Sequence, residues 1–294
     1  MKIGFIGAGK VGFSLGKYFV SNGIFVTGYY SMSPKSAKSA AEFTNSRMYN
    51  SLTDILKDSD TLFITVPDDA IGTVWEYMKN LDVKNKKICH CSGSISSAAF
   101  FDAENKGAYV YSIHPLCAVS DRYNSWHDLK NAVFTIEGSR QYLTQMQNLF
   151  TELGNTVAVI DTADKALYHV GAVMASNLVI ALLAMGKDIL KQCGFSEETA
   201  QKAILPLFKV NTDNIVKYGL TNALTGPIER NDIKTVKRHL ENLSKDFNQA
   251  QIYRLLSLKL IQIAEQKYPQ KNYTQIKEVL KDEKYSNDIS ATER

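Results

Sequence analysis

Gly7, Gly9 and Gly12 stand in the spacing G-x-G-x-x-G, directly after the apolar run Lys2 to Ile6 and directly before an amphipathic stretch from Lys10 to Asn22. Few local patterns constrain a chain as much. A strand must end, the backbone must turn sharply and a helix must begin within a few residues, as at the start of a strand-helix-strand unit. The first glycine permits the turn, the second lets the backbone approach a pyrophosphate, and the third lets strand and helix touch. The first N–H groups of the helix then face the phosphates. Gly7, Ala8, Gly9, Lys10, Val11 and Gly12 are therefore the expected cradle for a dinucleotide.

The remaining 282 of the 294 residues extend the pattern. Short runs rich in Val, Ile and Phe predict strands at Lys2 to Ile6, Ile24 to Tyr30, Thr61 to Val66, Lys87 to Cys91, Tyr109 to Ile113, Ala132 to Ile136 and Asn155 to Ile160, alternating with amphipathic segments. After Asp161 helical periodicities take over. Thr162 caps a predicted helix that runs through Gly186 to about Cys193, where Gly194 stops it. Further helices are expected at Glu197 to Tyr218, interrupted or kinked at Pro206, then Asp232 to Leu243 and Lys245 to Gln266. The predicted class is α/β, an N-terminal Rossmann-type, mainly parallel sheet followed by an all-α C-terminal domain. The expected domains are a dinucleotide-binding unit at 1–161, a helical substrate and dimerisation unit at 162–280, and a frayed tail at 281–294.

The 34 basic and 30 acidic residues leave a net charge of +4. That balance, without a basic stripe, excludes a protein that must neutralise a run of phosphates, so no nucleic-acid partner is expected. The cysteines, Cys89, Cys91, Cys117 and Cys193, include no C-x-x-C pair and suit a reducing cytoplasm. Glycines break up the apolar N-terminus, so it does not read as a signal peptide. From Ala166 to Gly186 the chain carries no Lys, Arg, Asp or Glu, enough length to span a bilayer. Tyr168, His169, Ser176 and Asn177 interrupt it, and the run reads as a helix buried between domains or subunits, without a membrane.

The cofactor's identity turns on a missing acid. Carboxylates that hold the ribose hydroxyls of NAD stand at the end of the second strand. Here that region reads Tyr29-Tyr30-Ser31-Met32-Ser33-Pro34-Lys35, and no acid occurs before Glu42. Ser31, Ser33 and Lys35 offer two hydroxyls and a cation to a 2′-phosphate, so NADP(H) is the expected cofactor. Val66, Pro67 and Ser92, at the ends of later strands, are expected to line its path.

Three such strand ends carry polar residues. Asp68 or Asp69 is expected to cap the helix after Pro67. Cys89 and Cys91 share one face of a strand while His90 takes the other, an arrangement that argues against a metal site with His114. Ser92 and Gly93 let the loop pass close to a ligand, and His114 reads either as a partner for the reacting group or as a histidine satisfied within the fold. In the following helix, Lys165, His169 and Ser176 fall within roughly 40° of one another at 100° per residue, beside small Ala172. Tyr168 and Asn177 flank this stripe. Hydride transfer to a carbonyl or imine needs a proton donor, and Lys165 and His169 are the natural candidates, with His114 and Asn177 as further catalytic candidates. A buried lysine beside an imidazole has its pKa lowered toward the working range.

The opening from Ile3 to Gly12, Val66-Pro67-Asp68-Asp69-Ala70-Ile71, His90-Cys91-Ser92-Gly93, His114-Pro115-Leu116, Asp164-Lys165-Ala166-Leu167-Tyr168-His169 and Leu224-Thr225-Gly226-Pro227-Ile228 together resemble a bacterial family of NADP oxidoreductases. In that family a Rossmann-like domain precedes a helical domain of unassigned function. The layout is more distantly similar to pyrroline-5-carboxylate reductase, ketopantoate reductase and the 3-hydroxyacid dehydrogenases. The resemblance implies NADPH-dependent reduction of a small carbonyl or imine compound, often carboxylated, in a cleft between the domains, and a homodimer formed through the helical domain. In the hydroxyacid dehydrogenases a lysine early in the first helix of the second domain acts as acid or base, and Lys165 occupies a similar place. Where those proteins continue with an asparagine pair, this chain has Tyr168 and His169. Ser92, Tyr168, Ser176, Thr225 and Arg230 are the expected substrate contacts, Arg230 as a bidentate carboxylate clamp. The alternative is a non-catalytic NADP(H)-binding sensor whose polar stripe only stabilises an interface.

Overall fold

The computed structural model describes residues 1–282 of the chain. Eight strands form one sheet: β1 (Ile3–Ile6), β2 (Val26–Tyr30), β3 (Arg47–Met48), β4 (Thr61–Ile64), β5 (Lys87–His90), β6 (Tyr109–Leu116), β7 (Val133–Gly138) and β8 (Val157–Val159), in the order β3-β2-β1-β4-β5-β6-β7-β8. Helices α1 (Lys10–Ser21), α2 (Pro34–Thr44), α3 (Leu52–Asp58), α4 (Asp68–Met78) and α5 (Leu143–Thr151) connect strands, and α6 (Lys165–Ala175) follows the last one. The sheet class, the position of every expected strand and the helices after β1 and β2 agree with the sequence. Two-residue β3 is too short to leave a periodic signal.

The pairings from β3 to β6 are parallel, so the carboxyl ends of β1, β2, β4, β5 and β6 share one edge. The β6–β7 pair is antiparallel, with His114 opposite Thr135 and Leu116 opposite Val133. This pairing carries β6 three residues beyond the expected end, and His114 stands on a strand rather than in a loop. Two apolar layers sandwich the sheet. Phe5, Phe13, Phe19, Phe63, Phe134 and Phe150 lead one, and Ile6, Ile64, Trp75, Ile88 and Phe100 lead the other. Residues alternate across a strand, so Cys89 joins the first layer while Ile88 joins the second.

The texture changes from strands to helices at Asp161, but the first compact unit extends to Ser176 and includes α6. The second unit begins with α7 (Asn177–Gln192), followed by α8 (Glu197–Ala223), α9 (Pro227–Arg230), α10 (Ile233–Leu243), α11 (Phe247–Lys267) and α12 (Thr274–Lys281). Its core gathers Ile228, Val236, Leu240, Ile261, Ala264, Tyr273 and Ile276. The predicted tail beyond Asp282 lies outside the described residues.

Two helical expectations are corrected. The helix expected from Thr162 to Cys193 is broken at Ser176, whose φ of −127° and ψ of −79° leave the helical region. The Ser176 hydroxyl donates to the Ala172 carbonyl at 2.7 Å, and Ser followed by Asn is a pair whose side chains compete for backbone hydrogen bonds. In α8 the break falls at Gly219, with φ 76° and ψ 165°, rather than at Pro206. Proline's fixed φ is itself helical, whereas only a glycine takes Gly219's angles without strain.

Candidate functional site

The glycine turn is built against the end of β4. Gly7 has φ 101°, and a Cβ there would stand 2.8 Å from the Thr65 carbonyl group. One at Gly12 would meet Thr65 Oγ1 at 2.5 Å and the Gly7 carbonyl oxygen at 2.9 Å. Both glycines are thus required by contact. At Gly9 only the Thr65 carbonyl oxygen, at 3.7 Å, lies within reach, and the space beside it is open. Gly9 is the N-cap of α1, no side chain caps the helix, and its first turn holds no acid. Uncapped N–H donors beside open space are what a diphosphate needs, so Gly7 to Gly12 fit the expected group.

At the end of β2, Ser31 Oγ accepts from the Ser33 N–H at 3.2 Å, and Ser33 Oγ accepts from the Ser36 N–H at 3.3 Å as the N-cap of α2. Lys35 is exposed in the first turn of α2, which holds no acid. Glu42 is seven residues on and faces Lys38 at 3.9 Å. This arrangement favours a phosphate over a ribose hydroxyl pair.

Asp68 does not cap α4. Pro67 occupies the N-cap position without a side-chain bond, because the aspartates already lie inside the first turn. The Asp68 carboxylate accepts instead from Ser92 Oγ at 2.7 Å and Ser94 Oγ at 3.0 Å. Ser92 Oγ also accepts from the N–H groups of Ser94 and Ile95, at 3.2 and 3.0 Å. The hydroxyl of Ser92 is therefore committed to holding its own loop. His90 helps from below: its Nδ1 accepts from the Ser92 N–H at 3.2 Å, which leaves Nε2 to donate to the Ser96 carbonyl at 3.2 Å. Burial pushes the His90 pKa down to about 4.

The rigid loop brings Gly93 under two imidazoles. A Cβ on Gly93 would meet His169 Nδ1 at 2.7 Å and His114 Nε2 at 3.0 Å. His114 Nδ1 lies 2.8 Å from the Tyr168 hydroxyl, and the two histidine rings are 6.3 Å apart in an edge-on arrangement. His114 is also held down to about 4, first by burial and then by Lys165. Lys165 is 1% exposed. Its Nζ, like His169 Nδ1, is buried without a hydrogen-bond partner, and it stands 5.3 Å from the centre of the Tyr168 ring. Burial lowers the Lys165 pKa to about 8, against the pull of Glu137, Cys91 and Asp68. Burial, one of the two causes expected from sequence, is the dominant one.

Lys165, Tyr168 and His169 from α6 thus meet His114 from β6 and Gly93 from the loop after β5. The predicted stripe holds from Lys165 through His169 to Ala172 and ends at Ser176, which is exposed where the helix breaks. Asn177 opens α7, and Thr225 and Arg230 flank and end α9, all in the second unit; Thr225 and Arg230 are exposed. Asp232 caps α10, accepting from the Thr235 N–H at 3.1 Å. The roles of Asp68 and of buried Glu137 on β7 were missed. A carboxylate interrupting the strand-like run that ends in Thr135-Ile136 was the available signal for Glu137.

Residues 2–89 match the family described as NADP oxidoreductase, coenzyme F420-dependent. Residues 132–260 match a domain of unknown function, DUF2520. Among solved structures the chain is similar to protein TM1727 from Thermotoga maritima, at 28% identity and a TM-score of 0.72, over 90% of this chain and 98% of that one. It is similar to BF3122 from Bacteroides fragilis, described as an NADP oxidoreductase, at 22% identity and a TM-score of 0.71, over 89% of this chain and 98% of that one. A pyrroline-5-carboxylate reductase from Coxiella burnetii shares the fold at 13% identity and a TM-score of 0.62, over 89% and 95% of the two chains. No curated protein gives a significant match.

Proposed function

Because this chain joins an NADP oxidoreductase domain to a DUF2520 domain, we propose that it is a reductase that transfers hydride from NADPH to a small carboxylated carbonyl or imine compound, with Lys165 as the proton donor. Gly7 to Gly12, Val66 and Pro67 would hold NADPH, with Ser31, Ser33 and Lys35 placed for its 2′-phosphate, and the bound cofactor would supply the hydride. The observation that carries the reading is a buried amine with no partner, next to two histidines above a glycine. Burying an amine unpaired is costly and has to be offset by something the site gains. Hydride addition leaves negative charge on oxygen or a basic nitrogen, and an ammonium lowered to about 8 gives up its proton readily near neutral pH. His169 and His114 orient the accepting atom, Tyr168 fixes His114, and Ser176 is a further contact.

The test is a screen of 2-keto acids, aldehydes and cyclic imines with NADPH. A turned-over substrate should lose about 10²-fold or more in rate with Lys165→Ala and with His169→Ala, at unchanged NADPH affinity. Rates should also fall as the pH rises through about 8, where the ammonium is lost. Wild-type rates in both variants would refute the assignment.

We also propose a homodimer in a reducing cytoplasm. No residue of α7 is buried, and Ile180, Leu207, Val216 and Leu220 are each at least 66% exposed, an apolar surface that calls for a partner. The stretch Thr162–Gln192 is long and apolar enough to cross a membrane. The break at Ser176 divides it into helices of 11 and 16 residues, each short of the roughly 20 a span requires. Sedimentation at twice the chain mass without detergent would support the dimer, and a monomer at micromolar concentration would not.

A further inference from the structure

Glu137 is a buried carboxylate near the end of β7, the strand beside the sheet's edge strand β8. It is 1% exposed, and alternation along β7 places it opposite Phe134 and Ile136, which pack into the apolar layer with Met146 and Phe150 of α5. Its Oε1 accepts from the Ser97 N–H, and its Oε2 accepts from the hydroxyls of Ser97 and Thr162, all at 2.7 Å. Among the described residues no cation lies within ion-pair distance of it. A buried carboxylate satisfied only by neutral donors leaves its negative charge unbalanced inside the protein, a costly arrangement unless a charge nearby uses it.

The donors come from two segments, one of which leads into Lys165. Ser97 begins the short turn Ser97–Ala99, five residues after Ser92, and Thr162 begins the turn Thr162–Asp164, which runs directly into Lys165. We propose that Glu137 is a positioning residue for Lys165: its carboxylate ties the turn preceding the lysine to the loop after β5 and supplies the buried counter-charge for the ammonium. This rests on the reading of Lys165 as proton donor.

The charged and titratable groups facing Lys165 are Glu137 from β7, Cys91 just beyond β5, Asp68 from α4, His90 from β5, His114 from β6, and Tyr168 and His169 on its own helix. Glu137 is the foremost of those that favour the ammonium. Asp68 comes behind it, and Cys91 is a thiol whose pKa burial pushes up to about 12. Glu137 is therefore the principal fixed negative charge available to the lysine.

The test follows the ionisation of Lys165 by nuclear magnetic resonance of the full chain labelled with 13C and 15N in lysine, its signal assigned by its loss in Lys165→Met. In Glu137→Gln the titration midpoint should move to lower pH, with the acid dissociation constant raised at least about threefold. An unchanged midpoint in a folded Glu137→Gln protein would overturn the proposal. If that variant does not fold, Glu137→Asp retains the charge but withdraws it by one methylene, and should move the midpoint in the same direction by less; no movement there would also overturn it. The readout does not require turnover. Normal rates in Lys165→Ala would remove the proton-donor reading while leaving the shift with Glu137→Gln intact.

Discussion

The phenol of Tyr168 and the imidazole of His114, 54 positions apart in the chain, meet at 2.8 Å through Nδ1. When the phenol donates, the ring's remaining hydrogen sits on Nε2, the nitrogen facing Gly93. One hydrogen bond outside the reacting centre thereby decides what His114 can offer a ligand.

Removing that bond should be felt in turnover more than in binding. Tyr168→Phe leaves His114 Nδ1 partly buried with no partner, at a cost of about 1–2 kcal/mol. The reduction rate should fall roughly tenfold, with NADPH affinity unchanged, because Tyr168 is remote in sequence from the glycine turn and the hydroxyl is lost without change of ring volume. Steady-state kinetics beside a fluorescence titration would check it; equal losses in both would mean that Tyr168 supports the cofactor instead.

Much of this site was legible because its parts obey local rules. The spacing of Gly7, Gly9 and Gly12, the missing acid at the end of β2 and the four-residue step from Lys165 to His169 each follow from turn or helix geometry within a dozen residues. What could not be read depends on contacts between distant segments. The sequence ends the strand before His114 because His114's strand identity comes from antiparallel pairing with Thr135, and nothing near residue 114 announces that partner. Asp68 looked like a helix cap because its real partners, Ser92 and Ser94, lie 24 and 26 residues on. Periodicity alone puts Ser176 in the polar stripe because the apolar pattern runs past it, while the break goes with its hydroxyl turning back to Ala172. The unbalanced charge of Glu137 becomes visible only once Ser97 and Thr162 are seen around it.

Gly93 makes no hydrogen bond with its missing side chain, yet it sets how closely His114 and His169 approach the loop. Gly93→Ala places a methyl group 2.7 Å from one imidazole nitrogen and 3.0 Å from the other, inside van der Waals contact. Both rings are partly buried and have little room to retreat, so the expected outcome is a fall in turnover of about 10²-fold, the size of effect a displacement near 1 Å produces. Thermal stability should drop by only a few degrees. Unimpaired turnover in a well-folded Gly93→Ala protein would show that the histidines work elsewhere.

Cofactor preference should follow the charge placed after β2. Ser31→Asp puts a carboxylate where ribose hydroxyls would be held, and Lys35→Glu reverses the only cation of the first turn of α2. The double variant should lose NADPH affinity by about 10- to 100-fold, as expected from removing one charge-assisted contact and adding repulsion. NADH affinity should hold or improve. Dissociation constants for both nucleotides measured at the same ionic strength would decide it, and a parallel loss for both would indicate damage to the fold.

Acid should destabilise the protein well before its carboxylates protonate. His90 and His114 are both lowered from 6.5 to about 4, chiefly by burial. The folded state therefore resists a proton that the unfolded chain accepts at about 6.5, so the stability these groups confer is complete above that pH and is lost as the pH falls toward 4. Glu229 and Asp232, held low by hydrogen bonds from Tyr268 and Thr235, add their own loss only below about 4.5. Between pH 7 and pH 5 the histidines act alone among these four groups, and each should remove on the order of 1–2 kcal/mol of unfolding free energy. Urea denaturation at the two pH values measures the difference, and His90→Gln, if it folds, should shrink it. Equal stability at pH 7 and pH 5 would mean that both imidazoles reach water more freely than their packing implies.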